Sequence, residues 1–245
     1  HFVALLSGSH SGQASGTGRT CVKVCGIVEP TELEALSAHQ VDLVGLWLAV
    51  PGGPHDLPLD RWRALAERAA ETEGGPAPVL VTFAKDAEVL RAALESAPVH
   101  WVQLHGYPTP GFVRKVKGLG RDVRVIKVLH VKGGECVEAP LIGSYEKAGV
   151  DVFLFDVVTD DGRVGSTGQA LDPAVVAPLL DKLTRPFLLA GGISDANRAE
   201  YESLAGRDLF LGIDVDTNAR DANGAISATR VEAITRAWRE EGQNA

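Results

Sequence analysis

The sequence predicts an α/β fold, a (β/α)8 barrel in a single domain, on three observations. After Thr20, short β-rich apolar runs alternate eight times with segments of helical period. Several of those runs are continuously apolar, as in Phe153-Leu154-Phe155 and Phe187-Leu188-Leu189-Ala190, which is how strands covered on both faces read. The residues that carry chemistry fall at the ends of the runs, where the C-terminal mouth of a barrel gathers them. A doubly wound open sheet is the alternative that the same alternation allows.

Taken in order, strands are expected over 21–25, 42–48, 78–83, 99–104, 123–129, 151–156, 186–190 and 208–213. The first is marked by Val22 to Val24 ending in Cys25 and Gly26. Helices are expected near 30–39, 59–72, 86–96, 109–118, 138–148, 173–183, 195–204 and 227–240. Pro30, Asp86 and Asp172-Pro173 supply start signals, because proline suits a first turn and aspartate caps it. The repeat leaves no linker, so 21–245 reads as one barrel domain. Residues 1–20, Ser/Gly-rich around Ser7 to Gly12, read as a flexible tail or a cloning remnant.

The 245 residues, 45% hydrophobic and 23% charged, suffice for a sizeable core. A net charge of -8 argues against nucleic-acid binding, which needs a basic face. No apolar run is long enough for a membrane span. Cys21, Cys25 and Cys136 are odd in number and scattered, so neither a disulfide framework nor a metal-ligand spacing is read. The cysteines point to a reducing, cytoplasmic setting.

The strand ends hold the candidate site. Cys25 is either a small core residue or a reactive thiol. Asp156, after three apolar residues, reads better as a site carboxylate than as a loop cap. His105, in Gln103-Leu104-His105-Gly106, reads equally as a satisfied half-buried histidine. Lys127 reads as an ion-pair partner of a strand-end acid in preference to a catalytic group. Gly191-Gly192 is either a tight turn or, with bare N–H groups before a helix, an anion site. Gly165-Ser166-Thr167-Gly168-Gln169 has the length and polarity of a lid.

The succession Lys23-Val24-Cys25-Gly26-Ile27, Gln103-Leu104-His105-Gly106, Asp156, Gly165 to Asp172 and Ala190-Gly191-Gly192-Ile193 resembles the phosphoribosylanthranilate isomerase family, (β/α)8 enzymes of tryptophan biosynthesis. The likeness runs from Val22 to Trp238. It implies an Amadori rearrangement of an N-glycoside, aminoaldose to aminoketose. By the family pattern Asp156 is the general acid on the ring oxygen and Cys25 the general base on C2. Nearby donors would lower the thiol toward neutrality, and burial would raise the carboxyl. Substrate contacts are further expected from Lys23, Gln103, His105, Lys127, Gly168, Gly191, Gly192 and Asp214, and, where the chain departs from the family pattern, from His55, Asp216 and Arg220. The implied partner is a small molecule, a phosphorylated or ribosylated aromatic amine, and the implied chemistry needs no cofactor or metal.

Two departures stand out. The family carries an arginine after strand 2 that holds the anthranilate carboxylate. Here the loop reads Val50-Pro51-Gly52-Gly53-Pro54-His55, and His55 is the nearest cation. After strand 8 the chain reads Asp214-Val215-Asp216-Thr217-Asn218-Ala219-Arg220, placing Asp216 where a phosphate would sit unless Arg220 compensates. The alternatives are a paralogue acting on a less anionic N-glycoside, a non-catalytic binding protein on the same scaffold, and a lyase using Lys127 as a Schiff base.

Overall fold

A computed structural model describes residues 19–158 and 169–240. Eight parallel strands close on themselves: β1 (Cys21–Cys25), β2 (Leu43–Trp47), β3 (Ala77–Thr82), β4 (Trp101–Leu104), β5 (Arg124–Lys132), β6 (Val152–Val157), β7 (Phe187–Leu189) and β8 (Phe210–Val215). β4 pairs with β5, and β8 returns to β1 with Lys23 beside Asp214, so the sheet is a barrel and the open-sheet alternative falls. The helices are α1 (Pro30–Ala38), α2 (Leu59–Glu71), α3 (Ala87–Ser96), α4 (Pro110–Lys117), α5 (Ile142–Ala148), α6 (Pro173–Leu180), α7 (Glu202–Ala205) and α8 (Ala228–Glu240).

Local chemistry sets the helix starts. α1 opens with Pro30 behind a capping box between Glu29 and Glu32. Asp86 accepts from the Glu88 amide at 2.9 Å, Thr109 from Phe112 at 3.1 Å, and Asp172 from Ala174 at 2.9 Å. α5 stops at Gly149, whose φ of 106° only glycine adopts readily.

Side chains alternate between two apolar layers. Leu43, Val79, Trp101, Ile126, Val152 and Leu188 point inward and fill the barrel. Val22, Val44, Val102, Val125, Phe153 and Phe187 point outward beneath the helices. Among the described residues no helix is long and apolar enough to cross a membrane.

Three elements differ from expectation. β5 runs on to Lys132, turns through Gly133 and Gly134, both at positive φ, and pairs back on itself at Glu135–Cys136. The helix expected over 138–148 begins as a 3-10 turn at Ala139–Leu141 and becomes α-helical only from Ile142. The helix expected over 195–204 is a 3-10 turn at Arg198–Tyr201 followed by the four-residue α7. There Asn197 Oδ1 accepts from the Ser194 amide at 2.9 Å, which competes with a helical start.

Candidate active site

β1, β4, β6 and β8 deliver Cys25, His105, Asp156 and Asp214 to one pocket at the C-terminal mouth, and Trp47 of β2 joins them. The same pocket is lined by Gly191 and Gly192 after β7 and by Asp216 to Asn218 after β8. The strand-end residues therefore do converge, as a barrel requires.

Cys25 is 5% exposed. Its Sγ accepts a hydrogen bond from Trp47 Nε1 at 3.1 Å. Space for the sulfur comes from Gly45, where a Cβ would lie 2.5 Å from Sγ. Burial pushes the thiol up to about 12, opposed by Lys23 and Trp47 and reinforced by Asp214 and Asp216. The expected lowering toward neutrality is therefore reversed: a dry site and two acids outweigh the donors.

Asp156 is 8% exposed, and Oδ1 accepts from the Val157 amide at 2.8 Å. Burial raises its carboxyl to about 7, against the Val157 hydrogen bond and with the help of Asp214 and Asp216. A carboxyl at that level is a protonated acid in much of the population near neutrality.

Lys23 lies wholly inside the barrel and donates to Asp214 Oδ1 at 2.9 Å. Burial pushes its ammonium down, but Asp214 outweighs this and holds it charged. Gln103 stands behind His105, its Nε2 2.9 Å from His105 Nε2. His105 stacks on Phe83 at 4.8 Å between centroids. Burial holds the imidazole neutral, and Nδ1 has no hydrogen-bond partner, so His105 is not the satisfied histidine that the sequence equally allowed.

Several residues sit otherwise than expected. Lys127 points out of the barrel, buried beneath α5, where Nζ meets Glu138 Oε1 at 3.2 Å and lies 4.9 Å from the Tyr145 ring centroid. Its ion-pair partner is this loop acid, and a Schiff-base role loses access to substrate. His55 leans on Trp47 edge-on at 5.2 Å. Burial and then Arg220 lower its pKa, so it is no ready cation for a carboxylate. Arg220 is fully engaged, donating from Nε to Asp216 Oδ1 at 2.7 Å and from Nη2 to the carbonyls of Cys25 and Gly26 at 3.1 and 2.9 Å. It offsets the Asp216 charge but does not line the pocket. Gly168, with most of the expected lid, lies outside the described residues.

Gly191 and Gly192 have φ of 85° and 70°. A Cβ on Gly192 would lie 2.9 Å from Ala170 Cα, so only glycine fits. Among the described residues their amides donate to no acceptor. With α7 so short, any anion here would be held by these amides and not by a helix dipole. Asn218 Nδ2 bridges the carbonyls of Gly192 and Ile193 at 3.1 Å each, fixing this loop to the one after β8.

Sequence reading missed His130 and Glu138. His130 points inward from β5 in register with Asp156, and its Nδ1 and backbone N–H both meet the Glu138 carboxylate. Burial pushes Glu138 up, but His130 and Lys127 outweigh it and hold the carboxyl below its ordinary value. The Gly133-Gly134 pair, a hairpin signal, was the clue.

Comparisons with known proteins converge on one family. A model of the N-(5'-phosphoribosyl)anthranilate isomerase family matches residues 62–232. The N-(5'-phosphoribosyl)anthranilate isomerase of Azorhizobium caulinodans is 32% identical over 219 residues, covering 88% of this chain and 90% of that one. The protein of the same name from Rhodopseudomonas palustris is 31% identical, covering 82% and 92%. The structure of phosphoribosyl anthranilate isomerase from Thermus thermophilus superposes with a TM-score of 0.72 at 26% identity, covering 89% of this chain and 98% of the other. The chain belongs to the N-(5'-phosphoribosyl)anthranilate isomerase family.

Proposed function

We propose that this protein isomerises N-(5'-phosphoribosyl)anthranilate, or a close N-glycoside, to the corresponding aminoketose, as a step of tryptophan biosynthesis. The observation that supports it best is one pocket lined by both Asp156, raised to about 7, and the Cys25 thiol, from different strands of the barrel. Asp156 gives its proton to the furanose ring oxygen, and the ring opens to a protonated Schiff base. The cation so formed acidifies both the C2–H and the nearby thiol. The thiol's proton goes to the carboxylate that Asp156 has just exposed. The resulting thiolate takes the proton from C2, giving an enolamine that tautomerises to the ketone. Both side chains end as they began, so the proton count balances.

The amides of Gly191 and Gly192 suit the phosphate end of the substrate. Lys23 and Asp214 hold each other and set the charge beneath the sulfur, acting by position. The free thiols of Cys21, Cys25 and Cys136 fit a reducing, cytoplasmic setting. Asp216 in the pocket lining favours a second reading, the same chemistry on a glycoside without phosphate.

Steady-state turnover of N-(5'-phosphoribosyl)anthranilate beside its dephosphorylated analogue separates the two. The first reading expects the phosphorylated compound to be the better substrate by kcat/KM. A preference for the analogue selects the second, and turnover of neither defeats both.

A further inference from the structure

The pocket between Cys25 and Asp156 offers only about 50 Å³ of free space. A second pocket of about 570 Å³ opens beside it, over the loops after β3 and β4, and His105 lines both. That size is ordinary for a small-molecule site. Its walls include Phe83, Tyr107 and Phe112, with Pro51 from the loop after β2. Lys85 stands exposed on its rim. Among the described residues Lys85 enters no ion pair, whereas Arg220 and Lys127 near the mouth are already paired and His55 is held neutral.

We infer that this second pocket receives a flat aromatic acid, with Lys85 as the partner of its carboxylate. The inference rests on the proposed function, since it places the anthranilate half of that substrate. The aromatic walls present faces and edges to a planar ring, and Phe83 stacked on His105 carries that surface down to the reacting atoms. A lysine is a mobile point charge and not a rigid fork, so this clamp reads charge more than geometry. It replaces, from the loop after β3, the cation that the loop from Val50 to His55 does not supply. The ring so placed leaves the sugar over Cys25 and Asp156 and the phosphate toward Gly191 and Gly192.

The test compares wild type, Lys85→Ala and Lys85→Arg on the anthranilate glycoside and on its aniline counterpart, which lacks the carboxylate. Losing a rim charge contact costs about tenfold in affinity. The ratio of KM values between the two substrates is therefore expected to shift about tenfold in Lys85→Ala and to return in Lys85→Arg. An unchanged ratio overturns the inference. Binding of anthranilate itself, followed by its fluorescence, decides the matter independently of turnover. Wild type binding about tenfold more tightly than Lys85→Ala supports the subsite even if neither glycoside reacts, and equal affinities reject it.

Discussion

Asp156 costs the fold stability where it serves the chemistry. Its carboxyl rises from 3.8 to about 7 on folding. At pH below 4 both folded and unfolded chains are protonated there and no penalty exists. Between pH 4 and 7 the unfolded chain ionises first, so the penalty grows, and above 7 it is constant, at most about 4 kcal/mol. Asp156→Asn is therefore expected to raise Tm at pH 7.5 and to leave it unchanged at pH 4. A pH-independent shift would contradict the raised carboxyl. The thiol makes a second expectation at this scale. If Cys25 is protonated at rest and ionises only after ring opening, kcat/KM is flat below pH 7 and falls tenfold per unit above it. A rise toward pH 7 followed by a plateau would mean a preformed thiolate. Cys25 and Asp156 were both legible in the sequence, because each follows an apolar run. Their surroundings were less so: Trp47 and Gly45 reach the site from β2 unannounced, and although Lys23 and Asp214 were expected from the resemblance, no local pattern says that they pair across β1 and β8.

At the scale of elements, the extension of β5 is the feature that sequence reading truncated. Inward Ile126, Val128 and His130 and outward Val125, Lys127 and Leu129 lie in a strand buried on both sides. With apolar residues on each face, the period of two cannot say which way Lys127 points. The structure turns it outward, to a carboxylate it shares with His130. Glu138→Gln would leave the Lys127 ammonium buried without a counter-charge, which costs about 3 kcal/mol. A fall in Tm of roughly 5–10 °C is expected. The double variant Lys127→Met with Glu138→Gln recovers most of that loss, because the uncompensated charge is gone. Thermal melts of the three proteins check this, and a double variant no better than Glu138→Gln alone would refute it.

For the whole molecule, the two ends of the barrel divide the work. At the mouth, burial and neighbouring acids raise Asp156 and Asp214. At the opposite end, Asp42 accepts from the Val22 amide at 2.8 Å and from Arg239 at 2.7 Å, and it also pairs with Arg19, binding α8 and the residues just before β1 to the start of β2. Asp42→Ala is expected to lower stability by about 3 kcal/mol while kcat on the true substrate stays within twofold of wild type. A large loss of kcat in a folded Asp42→Ala protein would break the division. The alternation of runs made the barrel and its direction legible from the sequence. What it could not carry were ties such as Arg220 to the Cys25 carbonyl, which join residues nearly two hundred positions apart and depend on closure itself.

The central claim is that Cys25 takes the proton from C2 of the N-glycoside. The turnover of N-(5'-phosphoribosyl)anthranilate by Cys25→Ala, measured against wild type with circular dichroism confirming the fold, tests it most directly. A loss of about a hundredfold or more is predicted. Wild-type turnover in a folded Cys25→Ala protein would contradict it.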